Sequence, residues 1–273
     1  MAGKITVGGS RYMGQLKAQL LRYLRVCAAE GPVGRYTLLT CAAGRRTGRV
    51  RLRKRIAAVV AKLVVQRWEP GLLDDLIARA CPELSAEERR LLVRRVRRHR
   101  GARKLRQELV RQRAEEVLAA HDGIIIDGFV RFRLQDYLEG LRAAACQALN
   151  DYLLEKEYQQ FIQLLRSFVE ARPGFHRLVH VVWRPDGGFR LLDRYGRPLG
   201  QERAREALLG DDLEDDEVLV GILVCLAPRE VVLHHPPGTG RPAWRILGEV
   251  FRGRQRECYG CALCTGIDKP RPV

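Results

Sequence analysis

The feature that most constrains the fold is a long central stretch, Gly123 to Pro173, whose apolar residues recur at helical spacing. The repeating positions are Leu134, Leu138, Leu141, Ala145, Leu149, Tyr158, Phe161, Ile162, Leu165, Phe168 and Val169. A repeat of three to four residues places these side chains on one face of an α-helix. The stretch therefore predicts helices that supply a hydrophobic core, with a break expected near Asn150 and Asp151.

The N-terminal segment predicts a β-α-β unit. Lys4 to Val7 has the pattern of a short strand, and apolar residues at helical spacing then follow from Met13. We expect this helix to end at Gly31 and Pro32, because glycine and proline interrupt helices. Tyr36 to Cys41 is rich in residues that favour a second strand.

The C-terminal third predicts a smaller α/β part, which makes α+β the predicted fold class. His176–Trp183 and Phe189–Asp193 flank a turn sequence and predict a hairpin, and Glu230–His235 predicts another strand. The apolar run Val218–Ala227 fits either a helix or a buried strand. We expect two domains. The first, over 1–120, is basic and mainly helical. The second, over 121–273, is helical at 124–172 and has an α/β part with a cysteine cluster at 175–266.

The positive charge of the chain is concentrated in one region. The formal net charge is +17, and residues 45–113 hold 22 basic against 7 acidic residues. Such a segment attracts polyanions, which suggests nucleic acid or an acidic protein as partner. The candidate nucleic-acid contacts are Arg90, Arg94, Arg97 and Arg98, which a helical projection places away from Leu92 and Val96. A solvated helix surface paired with carboxylates explains the same charge.

The sharpest chemical motif is a group of three cysteines near the C-terminus. Cys258, Cys261 and Cys264 follow the spacing C-x-x-C-x-x-C, which lets the sulfur atoms converge on one metal ion. Asp268 stands where a bacterial ferredoxin motif would have its fourth cysteine. We therefore expect zinc as the cofactor and regard an iron–sulfur cluster as the less favoured alternative.

Three cysteines leave a fourth metal ligand to be found. The candidates are His234, His235 and Cys225, because imidazole and thiolate are the common partners in zinc sites of this type. Packed or reactive thiols without a metal are the alternative interpretation.

No small-molecule substrate and no complete catalytic constellation can be identified in the sequence. The first ten residues contain no long apolar core, and the longest apolar run, Val218–Ala227, is too short to cross a bilayer. We thus expect a cytoplasmic protein without a membrane span, with a metal-dependent or redox enzyme kept as an alternative.

Several long segments resemble the YtxC-like family of sporulation proteins. They are IDGFVRFRLQDYLEGL, DYLLEKEYQQFIQLLRSFVE, VHVVW, GGFRLLD and LVCLAPREVVLHH. The resemblance covers about half of the chain well, from about Gly123 onward, and the basic N-terminal part only loosely in layout. The resemblance implies a soluble protein of endospore-forming bacteria that acts in sporulation. It supplies no catalytic residues, because the family has no established biochemical activity.

Overall fold

The computed structural model describes residues 4–24, 28–42, 48–172, 174, 176–184, 188–199, 214–234, 242–258 and 260–265. It confirms the α+β class, with strands at both ends of the chain and a large helical middle. The chain forms two compact units, residues 1–153 and 154–273. The two compact units divide at residues 153/154. The domain boundary expected at residues 120/121 stays a prediction.

A four-stranded sheet opens the first unit. Its strands are β1 (Lys4–Gly9), β2 (Ala28–Val33), β3 (Tyr36–Ala42) and β4 (Gly123–Ile125), in the order β2-β3-β1-β4. Helix α1 (Met13–Leu24) follows β1, as the predicted β-α-β opening requires. β1 pairs antiparallel with β3 and parallel with β4.

Strand β2 was not predicted from the sequence. The first helix ends at Leu24, earlier than expected, and Gly31 and Pro32 lie within β2. β2 pairs only with β3 and so lies at the edge of the sheet, where a proline costs no ladder hydrogen bond on its outer side. Gly34, with a φ of +59°, forms the turn between β2 and β3.

Five helices and a π-helical turn follow the first three strands. They are α2 (Arg49–Leu63), the turn Val64–Trp68, α3 (Glu69–Ala80), α4 (Ala86–Arg98), α5 (Arg100–Ala120) and α6 (Ile126–Arg133). A capping box begins α4, where the Ser85 hydroxyl accepts a hydrogen bond from the Glu88 amide and the Glu88 carboxylate accepts one from the Ser85 amide. Leu92, Val93 and Val96 of α4 are buried in the core of this unit.

A buried carboxylate joins these helices to one another. Glu69, the first residue of α3, is fully buried and accepts two hydrogen bonds from Arg106 of α5, both at 3.1 Å. The Tyr137 hydroxyl donates to the same carboxylate at 3.0 Å, and Arg97 of α4 has its Nε 3.6 Å from Oε1. Arg97 therefore does not face away from the core as the projection predicted, because its charge pairs with Glu69.

Helix α7 (Gln135–Ala171) is one continuous helix of 37 residues, without the break expected near Asn150 and Asp151. Neither residue is a glycine or proline, so the backbone can continue through them. Its second half belongs to the second unit, where Ile162 and Val169 are buried. Phe161, which was counted among the core positions, is 47% exposed.

The second unit contains a sheet in the order β6-β5-β7-β8. Its elements after α7 are β5 (Leu178–Trp183), β6 (Phe189–Leu192), α8 (Asp215–Leu226), β7 (Glu230–His234), α9 (Pro242–Val250), β8 (Gln255–Cys258) and α10 (Ala262–Thr265). The predicted hairpin is confirmed by antiparallel pairing of β5 with β6, and the apolar run after Glu217 forms a helix. β5, β7 and β8 are parallel. None of the helices in the described part of the chain is long and apolar enough to span a membrane.

We predict that Glu69→Ala destabilises the protein by about 3 kcal/mol, because it leaves the guanidinium groups of Arg97 and Arg106, which are 26% and 13% exposed, without their counter-charge. The control is Asp74→Ala, whose 44% exposed carboxylate pairs with Arg89 at 3.2 Å and should contribute less than about 1 kcal/mol. Urea unfolding followed by circular dichroism measures both changes. Equal losses in the two variants would contradict the assigned role of Glu69.

Candidate metal centre

The candidate metal centre lies where the parallel strands of the second sheet end. His234 is the last residue of β7 and Cys258 is the last residue of β8. The two residues are direct partners in the parallel register of these strands. Since the carboxyl ends of parallel strands meet at one edge of a sheet, the pairing places an imidazole and a thiol side by side.

Cys261 completes a group of three close ligand atoms. Its Sγ lies 3.4 Å from Nδ1 of His234. One ligand atom each from His234, Cys258 and Cys261 lies within 4.8 Å of the other two. The imidazole is only 3% exposed, and both cysteines are half-buried. The group can offer two sulfur ligands and one nitrogen ligand to the same metal ion.

The structure brings together only some of the predicted ligands among the residues that it describes. Cys258 and Cys261 come together, and among the proposed fourth ligands His234 joins them. Cys225 lies on α8 with an exposed side chain and is no member of this group. The backbone of Cys264 lies in α10, but its side chain is outside the described part of the structure, as is all of His235.

His180 of β5 was not predicted to take part in the centre. Its Nδ1 lies 2.8 Å from Nε2 of His234, and the ring centroids are 5.1 Å apart. Burial lowers the pKa of His180, and the carboxylate of Asp193 partly opposes this shift. A histidine within an apolar strand sequence gives no signal for such a contact, because the contact depends on how β5 and β7 pair.

Asp193 has a structural use of its own. Its carboxylate accepts hydrogen bonds from the backbone amides of Tyr195 at 2.8 Å and Arg197 at 2.9 Å. These bonds, that of Arg197 foremost, lower the pKa of Asp193. An aspartate that accepts from amides two and four residues ahead stabilises a turn, and here it follows the end of β6.

The second predicted site, the basic surface, is reduced to three of its four residues. Arg90, Arg94 and Arg98 are exposed on α4 at intervals of four residues, a spacing that keeps them on one side of the helix. Within the described residues, none of the three has an ion-pair partner. Arg97 is 26% exposed and belongs to the Glu69 network instead.

Comparison with known proteins identifies the family. The model of the YtxC-like family matches residues 54–255, well over half of the chain. The chain belongs to the YtxC-like family. The match begins well before Gly123, where the resemblance seen in the sequence started, and so takes in most of the helical unit.

A curated relative of this family member is "Uncharacterized protein YtxC" of Bacillus subtilis (strain 168). The two are 32% identical over 143 residues, which is 51% of this chain and 50% of the relative. The chain thus spans about half the length of the curated relative that it matches. No solved structure matches the chain.

Proposed function

We propose that the second unit binds one zinc ion through His234, Cys258, Cys261 and Cys264, in a non-catalytic cytoplasmic protein that acts in sporulation. The observation that carries the metal site is the convergence of an imidazole and two thiols from separate segments of the chain. Cys264 is proposed as fourth ligand from the spacing of the motif alone.

One distance within the group fits zinc. Zinc is about 2.3 Å from a thiolate sulfur and about 2.0–2.1 Å from an imidazole nitrogen, so tetrahedral geometry separates these two atoms by about 3.5 Å. The separation of Cys261 Sγ from His234 Nδ1 is 3.4 Å. Thiolate and imidazole ligands favour zinc over magnesium or calcium, which prefer oxygen.

The proposed role of zinc is to stabilise the fold. β8 has only four residues and, among the described strands, pairs with β7 alone, so it has few backbone hydrogen bonds of its own. A metal ion bound by His234, Cys258 and Cys261 would fasten β7, β8 and the following turn together. Structural zinc sites contribute folding free energy in this way. A cytoplasmic location fits because thiolates remain reduced there.

The sporulation role rests on the resemblance seen in the sequence, not on the site. The chain supplies about half the length of its curated relative. The activity and partners of the whole protein are accordingly part of the proposal.

We predict that purified full-length protein contains close to one equivalent of zinc by elemental analysis. The variants Cys258→Ser, Cys261→Ser and His234→Ala should each lose most of it, because each removes a ligand. Zinc removal by a chelator should lower the melting temperature of the wild-type protein.

Cys225→Ser is the matched control for this experiment, since it removes a thiol of the same unit that lies outside the group. It should retain the zinc. Wild-type protein without metal, in which the thiols titrate freely in the folded state, would contradict the proposal. If the purified protein contained iron and showed charge-transfer absorbance, the cofactor would be an iron–sulfur cluster and not zinc.

The basic surface supports a second candidate function, which is binding to nucleic acid. The specific observation is that Arg90, Arg94 and Arg98 are exposed on one side of α4 and, among the described residues, unpaired with carboxylates. Guanidinium groups in that state are available to phosphates, and such binding depends strongly on salt and little on base sequence.

We predict that the triple variant Arg90→Glu, Arg94→Glu, Arg98→Glu loses most of its affinity for DNA and RNA at low salt. The loss of three phosphate contacts should reduce the slope of log affinity against log salt by about 3. Fluorescence anisotropy with labelled oligonucleotides measures both quantities.

The control with the same charge change is Arg142→Glu, Arg190→Glu, Arg252→Glu, which alters three exposed arginines outside α4. It should bind close to the wild-type level if the α4 surface is the binding site. Equal losses in the two triple variants, or wild-type protein without measurable binding, would exclude this function.

A further inference from the structure

His234 is held from both sides of its ring. Nδ1 faces Sγ of Cys261 at 3.4 Å, and Nε2 faces Nδ1 of His180 at 2.8 Å. With 3% of the residue exposed, water has little access to compete for either nitrogen. The two nitrogens thus have separate environments, one containing thiols and the other a second imidazole.

The chemistry of imidazole links these two environments. A neutral ring carries one proton, and a nitrogen can bind a metal ion only when it is free of that proton. If Nδ1 of His234 binds zinc, the proton of this ring resides on Nε2. The Nε2–H group then donates a hydrogen bond to the neighbouring ring. Nδ1 of His180 must then be the unprotonated acceptor, which leaves the proton of His180 on its own Nε2.

We infer that His180 is a positioning residue, which accepts a hydrogen bond from Nε2 of His234 and so directs Nδ1 of His234 to the metal ion. This inference rests on the proposed zinc centre. Metal-binding histidines commonly donate their second N–H to a carboxylate or a carbonyl. Here an imidazole nitrogen takes that place.

The strand pairing keeps the two rings in reach of each other. β5 and β7 are parallel, with His180 opposite Val232 and His234 opposite Val182. Both histidines therefore belong to regular strands whose relative register is fixed by backbone hydrogen bonds. A partner on a strand orients the imidazole more firmly than a loop residue would.

The hydrogen bond that Nε2 of His234 donates to Nδ1 of His180 keeps the proton of the His234 ring on Nε2. If the proton were on Nδ1, it would block the metal-binding position, and the Nδ1–H group would donate a hydrogen bond to Cys261 instead. Removal of the acceptor should consequently weaken metal binding while all proposed ligands remain present. Loss of an outer partner of this kind typically lowers metal affinity by about 10–100-fold.

The test uses reduced, metal-free, full-length protein titrated with Co²⁺, whose visible absorption reports the geometry of its ligands. We expect His180→Ala to weaken Co²⁺ binding by about 10–100-fold and to shift the absorption bands. His180→Asn should restore both toward the wild-type values, because its side-chain oxygen can accept a hydrogen bond near the original position of Nδ1.

Val232→Ala is the control for general weakening of the sheet, since Val232 is the direct register partner of His180. It should lower stability but leave the Co²⁺ affinity and spectrum unchanged. Wild-type affinity and spectrum in His180→Ala, or no recovery in His180→Asn, would overturn the role of His180 alone. Wild-type protein that binds neither Co²⁺ nor Zn²⁺ would overturn the zinc centre and this role with it.

Discussion

The carboxylate of Glu69 lies where four helices of the first unit meet, entirely removed from solvent. Arg97, Arg106 and Tyr137 reach it from α4, α5 and α7. A buried charge is costly unless its partners satisfy it, so the four helices can pack closely only in the arrangement that brings these groups together. Burial and the Glu69 carboxylate both raise the pKa of Tyr137, which keeps its hydroxyl a hydrogen-bond donor.

This network also separates arginines that neutralise a buried carboxylate from arginines that stay exposed. Arg97 and Arg106 neutralise Glu69, while Arg90, Arg94 and Arg98 stay exposed on α4. Helix α4 thus carries one arginine that pairs with a buried carboxylate and others that are exposed. The proposed binding surface therefore includes only part of the positive charge of this region.

The second unit depends on a different constraint, the register of three parallel strands. It places His180 within β5, His234 at the end of β7 and Cys258 at the end of β8, on three neighbouring strands. No residue of the short strand β8 belongs to the described core of this unit. Ligand bonds at the strand ends would compensate for that deficit, as they do in small domains with few core residues.

The sequence predicted the elements that depend on local pattern. Helical spacing revealed α7, and turn residues revealed the hairpin of β5 and β6. The sequence-based predictions were wrong where the structure depends on a residue elsewhere in the chain. β2 forms because β3 lies beside it, and Arg97 turns inward because Glu69 is buried there. The candidate site divides in the same way. The spacing of Cys258 and Cys261 is a local signal, whereas neither the choice of His234 over Cys225 nor the contact of His180 can be read without strand register.

The most direct test of the zinc centre is X-ray absorption at the zinc edge of the purified full-length protein, which counts and identifies the atoms bound to the metal. We predict that three sulfur atoms lie at about 2.3 Å from the zinc and one nitrogen atom at about 2.0–2.1 Å. Zinc surrounded only by oxygen and nitrogen atoms would mean that the cysteines do not bind the ion, and would contradict the proposed zinc centre.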